Sequence, residues 1–198
     1  DGVELILPPA EQSVSDIYRV GERIKVYVLS VEKTSKFPKI LISRRNEGLL
    51  RKLFEIEIPE ITSGIIEIKS VAREAGSRAK VAVYSAVPNI DTIGACIGQK
   101  GARIKNIVDE LNGERIDIVE WKPVVEEFVS AVLSPAVVES VTILEDGTAR
   151  VLVEPSQLSL AIGKNGQNAR LAARLTGMRV DIKVIDKDKE TLKEGEDE

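Results

Sequence analysis

The chain contains no histidine and a single cysteine, Cys96. Without histidine there is no Ser-His-Asp triad and no imidazole acid–base pair, and one thiol leaves almost nothing to hold zinc. A lone cysteine also excludes an internal disulfide and suits a reducing cytoplasm. Aromatic residues make up only 4% of the sequence, too few for a surface that grips its ligand mainly by ring stacking. No apolar run reaches the ~18–20 residues needed to cross a bilayer, and no charged-then-apolar leader opens the chain. The Gly-x-Gly-x-x-Gly fingerprint is missing, and Gly98-Gln99-Lys100-Gly101 lacks both the spacing and the trailing Lys-Ser/Thr of a P-loop. These absences predict a cytoplasmic protein that is not an enzyme, with no catalytic residue, no cofactor, no metal site and no membrane association.

The net charge of −4 is unevenly spread. Residues 186–198 hold seven acids and three lysines, a net of −4, so residues 1–185 sum to zero. Two windows carry no acid at all: residues 92–108, with Lys100, Arg103 and Lys105, and residues 155–180, with Lys164, Arg170, Arg174 and Arg179. Local fields of this kind, not the total charge, steer a polyanion to a surface. The acidic tail from Asp186 has no hydrophobic period and is predicted to be disordered.

Both acid-free windows enclose the same motif. Ile97-Gly98-Gln99-Lys100-Gly101 and Ile162-Gly163-Lys164-Asn165-Gly166 are each followed by a second shared string, Gly113-Glu114-Arg115-Ile116-Asp117-Ile118 and Gly177-Met178-Arg179-Val180-Asp181-Ile182. With 14 glycines in 198 residues, chance supplies about one Gly-x-x-Gly pair. Two of them at the same place in a repeated unit fix the architecture as one module used twice.

Periodicity fills in the rest. Residues 3–7, 23–31 (Ile24, Val26 and Val28 on one side) and 40–42 read as short strands, too few to close a barrel. Asn46 is placed to cap a helix through Leu49, Leu50, Leu53 and Phe54 that Pro59 ends. Strands are expected at 64–71 and 79–84 around Gly76-Ser77, then a short helix to Ile97, a helix over 102–111 and a strand over 115–120. The order recurs after Pro123: a helix at 124–133, strands at 137–144 and 148–153 around Asp146-Gly147, helices at 156–162 and 167–176, and a strand at 179–185. Both units therefore read α-β-β-α-α-β, and the fold class is α+β.

A glycine pair between two helices permits a turn that residues with a Cβ resist, and lets a sugar-phosphate strand approach the main chain. The next helix points free N–H groups and its positive dipole end at that strand. The residues predicted to contact such a strand are Ile97, Gly98, Gln99, Lys100, Gly101, Arg103 and Lys105 in the first copy. In the second they are Ile162, Gly163, Lys164, Asn165, Gly166, Gln167, Asn168 and Arg170. Lys100 and Lys164 are expected to face phosphate. Arg103, Lys105, Asn168 and Arg170 are expected to reach phosphate or base edges, and Ile97 and Ile162 to floor an apolar groove.

The two modules resemble KH domains of the type II topology, whose Gly-x-x-Gly loop grips about four nucleotides of single-stranded nucleic acid. Residues 1–46 resemble part of an S1 domain, an OB-type barrel, through Val3-Glu4-Leu5-Ile6-Leu7-Pro8, Gly21-Glu22-Arg23-Ile24-Lys25-Val26-Tyr27-Val28 and Ile40-Leu41-Ile42-Ser43-Arg44-Arg45. A partial S1 domain (1–46), a first KH domain (47–122), a second (123–185) and an acidic tail (186–198) follow the order of the NusA family of bacterial transcription factors. The stretches Leu49–Glu55, Gly94–Gly98 and above all Gln157–Ala173 are similar to that family.

The resemblance implies a protein that binds single-stranded RNA, the nascent transcript and its antitermination sites, and modulates pausing, termination and antitermination. RNA polymerase would be the partner of the full-length protein, with other transcription factors possible. The family's polymerase-binding domain and the opening strands of S1 have no counterpart here, so the chain is expected to be a fragment. With no heptad or long apolar stripe, a monomer is expected. A ribosome- or RNA-assembly-associated KH protein and a protein-docking scaffold are the alternatives.

Overall fold

A computed structural model describes residues 3–35 and 37–185, and the chain divides into two units, Asp1–Trp121 and Lys122–Glu198. The acidic tail lies outside the described residues.

The first unit opens with three short strands, β1 (Leu5–Ile6), β2 (Tyr27–Glu32) and β3 (Lys39–Ser43), in the order β1-β3-β2. β2 runs antiparallel to β3 and β1 parallel to it, so the sheet stays open, as a partial S1 barrel requires. The strand expected over 23–31 begins only at Tyr27. The backbone of Lys25 is engaged elsewhere: its carbonyl accepts from Arg44 Nη1 (2.8 Å) and its N–H donates to Glu110 Oε1 (3.2 Å). Tyr27 packs against the core of the first module and lies over Gly48, where a Cβ would come within 2.6 Å of its ring. Phe37 is exposed.

Helices α1 (Glu47–Glu57) and α2 (Pro59–Thr62) follow. Asn46 caps α1 as expected, its side chain accepting from the Gly48 N–H at 2.7 Å. Pro59 starts α2 at a position where no N–H is needed. Strands β4 (Glu67–Glu74), β5 (Arg78–Tyr84) and β6 (Arg115–Glu120) form a sheet in the order β4-β5-β6, with β5 and β6 parallel. A parallel pair needs a crossover connection, and α3 (Thr92–Ile97) and α4 (Ala102–Glu110) supply it. The glycine turn sits in the middle of that crossover. One face of β5 (Ala79, Val81, Val83) packs with Leu49, Leu50, Leu53, Phe54, Cys96, Ile107 and Leu111. Burial pushes the Cys96 thiol up to about 12, which makes it an inert part of the core.

Two buried ion pairs brace this unit. Arg44 donates to Asp16 (2.6 and 3.1 Å), to Glu110 Oε1 (3.1 Å) and to the carbonyls of Lys25 and Glu110. It thereby ties the first 46 residues to the end of α4. Arg73 makes a two-bond fork with Glu114 (2.7 and 2.9 Å), whose carboxylate also accepts from the Gly76 N–H at 2.8 Å. Charges this deep are tolerable because every polar edge has a partner.

The second unit repeats the plan: α5 (Val125–Val132), β7 (Ser140–Ile143), β8 (Ala149–Val153), α6 (Leu158–Ile162), α7 (Gln167–Thr176) and β9 (Val180–Val184). Its sheet order is β7-β8-β9, again with the last pair parallel. β7 starts later than the expected residue 137 because the Val137 N–H donates to the Gln157 side chain at 3.0 Å. Both modules are thus α-β-β-α-α-β, the first with the short α2 added after its opening helix, in an α+β chain.

The Arg44 cluster sets a pH dependence. Burial raises the Asp16 carboxyl, but hydrogen bonds from Arg44, Asn112 and Tyr18 outweigh it and hold it below its usual range. Glu110 is likewise lowered, burial being outweighed by Lys25 and Arg44. Depressed folded values mean that the stabilisation is present above the unfolded carboxylate range of about pH 4 and is lost as pH falls through the folded values. Arg44→Ala should cost about 3–5 kcal/mol and move acid unfolding to higher pH. Urea unfolding across a pH series checks this, and an unchanged acid midpoint would contradict it.

Candidate nucleic-acid interface

Each turn is built by the residues just before it. In the first copy the Asp91 side chain caps α3 by accepting from the Gly94 N–H at 2.8 Å. A Cβ on Gly94 would lie 2.1 Å from that carboxylate, so a larger residue there would make the capping side chain shift. The helix closes with the Gly98 N–H donating to the Gly94 carbonyl (2.8 Å), and the chain then turns left-handed. In the second copy the Gly163 N–H donates to the Ser159 carbonyl (2.9 Å).

The two turns have the same backbone. Gly98 lies at φ 74°, ψ 172° and Gly163 at φ 74°, ψ 170°. Lys100 (54°, 27°) matches Asn165 (53°, 28°), and Gly101 (76°, 15°) matches Gly166 (73°, 14°). One hydrogen bond spans each turn, Gly101 N–H to the Gly98 carbonyl at 3.0 Å and Gly166 N–H to the Gly163 carbonyl at 3.1 Å. The glycines of a pair do different jobs. A Cβ at Gly98 would sit 2.7 Å from Arg103 Cγ, and one at Gly163 would sit 2.8 Å from Asn168 Cβ. The first glycine is therefore pressed against the following helix. Around Gly101 a Cβ would meet nothing within 4 Å, and around Gly166 only the tip of Arg170 at 4.0 Å. The second glycine faces open space, on the side from which another backbone can approach.

Side chains sort by how they are engaged. Gln99, Lys100, Lys164 and Asn165 are exposed at the two turns. Ile97 and Ile162, one residue before each, are 37% and 38% exposed, an equal apolar step in both copies. Lys105 is exposed and pairs with Asp109 one turn along α4. Arg170 is exposed and donates to the Asn165 carbonyl at 3.2 Å, while Gln167 is half-buried at the start of α7.

The remaining two predicted contact residues are drawn inward. Arg103 is held by Glu60 Oε2 (2.9 Å) and the Ala95 carbonyl (2.6 Å). Asn168 is 1% exposed, with its amide donating to three carbonyls, so its side chain is turned away from any ligand on the surface. Its place on α7 held the clue. Asn168, Leu171, Ala172 and Leu175 recur at helical spacing, and all four are buried.

Clefts of about 450, 490 and 460 Å³ lie away from both turns. The first lies beside Arg44, the second between α1, α2 and β4, and the third against β1. Among the described residues no cluster of three or more Cys, Asp or Glu could hold a metal ion, and no helix is long and apolar enough to cross a membrane.

Residues 44–121 match the model of the NusA-like first KH domain, and residues 125–190 that of the NusA-like second KH domain. The chain belongs to the NusA family. It is 54% identical over 182 residues to the transcription termination/antitermination protein NusA of Halalkalibacterium halodurans, covering 91% of this chain and 48% of that protein. The Bacillus subtilis NusA is 53% identical over 182 residues (91% and 49%), and the Thermus thermophilus NusA 51% over 175 residues (88% and 45%). The chain spans about half the length of the curated relatives it matches. Its two KH modules are NusA-like.

The unequal glycines give a direct test. Gly98→Ala meets both a left-handed φ and the Arg103 side chain, whereas Gly101→Ala meets only the φ, a cost of about 1–2 kcal/mol. Thermal unfolding should show Gly98→Ala as the more destabilised variant, and the reverse order would contradict this packing.

Proposed function

We propose that this chain is the single-stranded RNA-binding region of a NusA-like transcription factor. Through its two Gly-x-x-Gly turns it would grip the nascent transcript and so modulate pausing, termination and antitermination. The observation that carries this reading is the duplicated turn: the same dihedral angles, an open second glycine and an acid-free sequence window around both copies. Phosphates lie against the N-terminal ends of α4 and α7, which no side chain caps and where the helix dipole favours negative charge. Lys100 and Lys164 add charge at the turn. Ile97 and Ile162 offer apolar area to the bases, in keeping with a chain poor in aromatic residues. RNA polymerase engagement belongs to the full-length protein.

Binding of an unstructured RNA of about 12 nucleotides, room for two clamps of ~4 each, tests the proposal by fluorescence anisotropy. Affinity should fall between ~50 and ~200 mM salt, with a slope of about −0.7 per phosphate contacted. A variant carrying Gln99→Asp, Lys100→Asp, Lys164→Asp and Asn165→Asp should bind at least about tenfold more weakly with an unchanged circular dichroism spectrum, a loss of ~1.4 kcal/mol or more. Equal binding by both proteins would move the RNA elsewhere, and binding by neither would favour a protein-docking scaffold.

A further inference from the structure

Arg103 and Asn168 occupy the same place in the two modules, two residues beyond the second glycine. The repeat offset that pairs Gly98 with Gly163 also pairs Ala95 with Leu160. Arg103 Nη1 donates to the Ala95 carbonyl at 2.6 Å, and Asn168 Nδ2 donates to the Leu160 carbonyl at 3.3 Å and the neighbouring Ala161 carbonyl at 3.1 Å. Two side chains of unlike length and charge thus reach the same carbonyl in the last turn of the helix before the loop. Carbonyls in that turn have no partner within their own helix. The left-handed turn leads the chain away before a following N–H can serve them all.

Each residue makes a second attachment, and again to the same layer. Arg103 pairs with Glu60 on α2 at 2.9 Å, and Asn168 donates to the carbonyl of Leu133, the C-cap of α5, at 2.9 Å. Each also lies directly beneath the first glycine of its turn, within 2.8 Å of where a Cβ would be. The pre-loop helix, the turn and the module's opening helical layer therefore meet at one side chain.

We infer that Arg103 and Asn168 are positioning residues that fix the shape of the two Gly-x-x-Gly turns, and that neither contacts RNA through its side chain. The inference deepens the RNA-binding reading and rests on it for its consequence, although the staple itself is a property of the free protein. The two staples differ in kind. The first is an ion pair about 30% exposed on both sides, the second a neutral amide sealed in the core.

The chain contains its own rescue experiment. Arg103→Ala removes the staple. Arg103→Asn removes the charge but installs the group that serves the matching carbonyl in the other copy. Amide hydrogen exchange of the free variants and RNA affinity at several salt concentrations are the two readouts, with Lys100→Ala as a phosphate-contact control. Arg103→Ala should raise exchange by about tenfold, the scale of one charge-assisted hydrogen bond, at the amides of residues 98–102 only. It should weaken RNA binding with an unchanged salt slope, and Arg103→Asn should recover most of both effects. Lys100→Ala should instead reduce the slope by about 0.7. The inference is overturned if both Arg103 variants flatten the slope as Lys100→Ala does, since Arg103 then touches phosphate. It is equally overturned if exchange rises throughout the unit or not at all. Should the native chain bind no RNA, the functional reading fails while the exchange data still decide the staple.

Discussion

A left-handed turn between two helices is the constraint around which each module is arranged. Three of its four residues hold positive φ, and the middle one is not glycine: Lys100 in one copy, Asn165 in the other. Asparagine tolerates this region better than most residues, and lysine poorly, at roughly 1–2 kcal/mol. Strain of this kind persists only where the surroundings determine the conformation. Here the surroundings are the helix before the turn, the helix after it and the side chain that joins them. The return is geometric: the N-terminus of α4 or α7 is presented without a side-chain cap, with an open glycine beside it.

The sheets explain why the turn is rigid enough to be useful. In each module the crossover that carries it connects two parallel neighbouring strands, β5 to β6 and β8 to β9, so both ends of the crossover are anchored to one ladder. The same ladders repeat a cation-to-carboxylate pair, Lys80 with Asp117 at 3.0 Å and Arg150 with Asp181 at 3.9 Å. In the first unit the end of α4 is held again by Arg44 through Glu110. Residues that touch no ligand thereby limit how far the helix behind the turn can move.

Much of this was legible in the sequence, for identifiable reasons. The duplicated glycine pairs, the stripe of Ile104, Ile107, Val108 and Leu111 and the Gly113 and Gly177 stops carry local periodicity and turn chemistry, and strand Arg115–Glu120 and helix Gln167–Thr176 fall where those signals place them. What escaped was set by contacts distant in sequence. Nothing local marks Arg44 as buried, because its partners lie 28 and 66 residues away. The shortened β2 has the same origin, since Lys25 gives its backbone to those side chains. Asn168, which is buried, reads as a surface contact because an amide side chain after a glycine loop suggests a ligand. Only the helical register of Asn168 with Leu171 and Leu175 pointed inward.

The central claim is that both turns present main-chain N–H groups to a single strand of RNA. Amide chemical-shift and exchange mapping on adding an unstructured RNA of about 12 nucleotides, enough for two sites of ~4, tests it most directly. The account predicts that the largest changes fall on residues 97–103 and 162–168 in parallel and saturate together. Changes confined to the three-stranded sheet of the first 46 residues, with both turns silent, would contradict it.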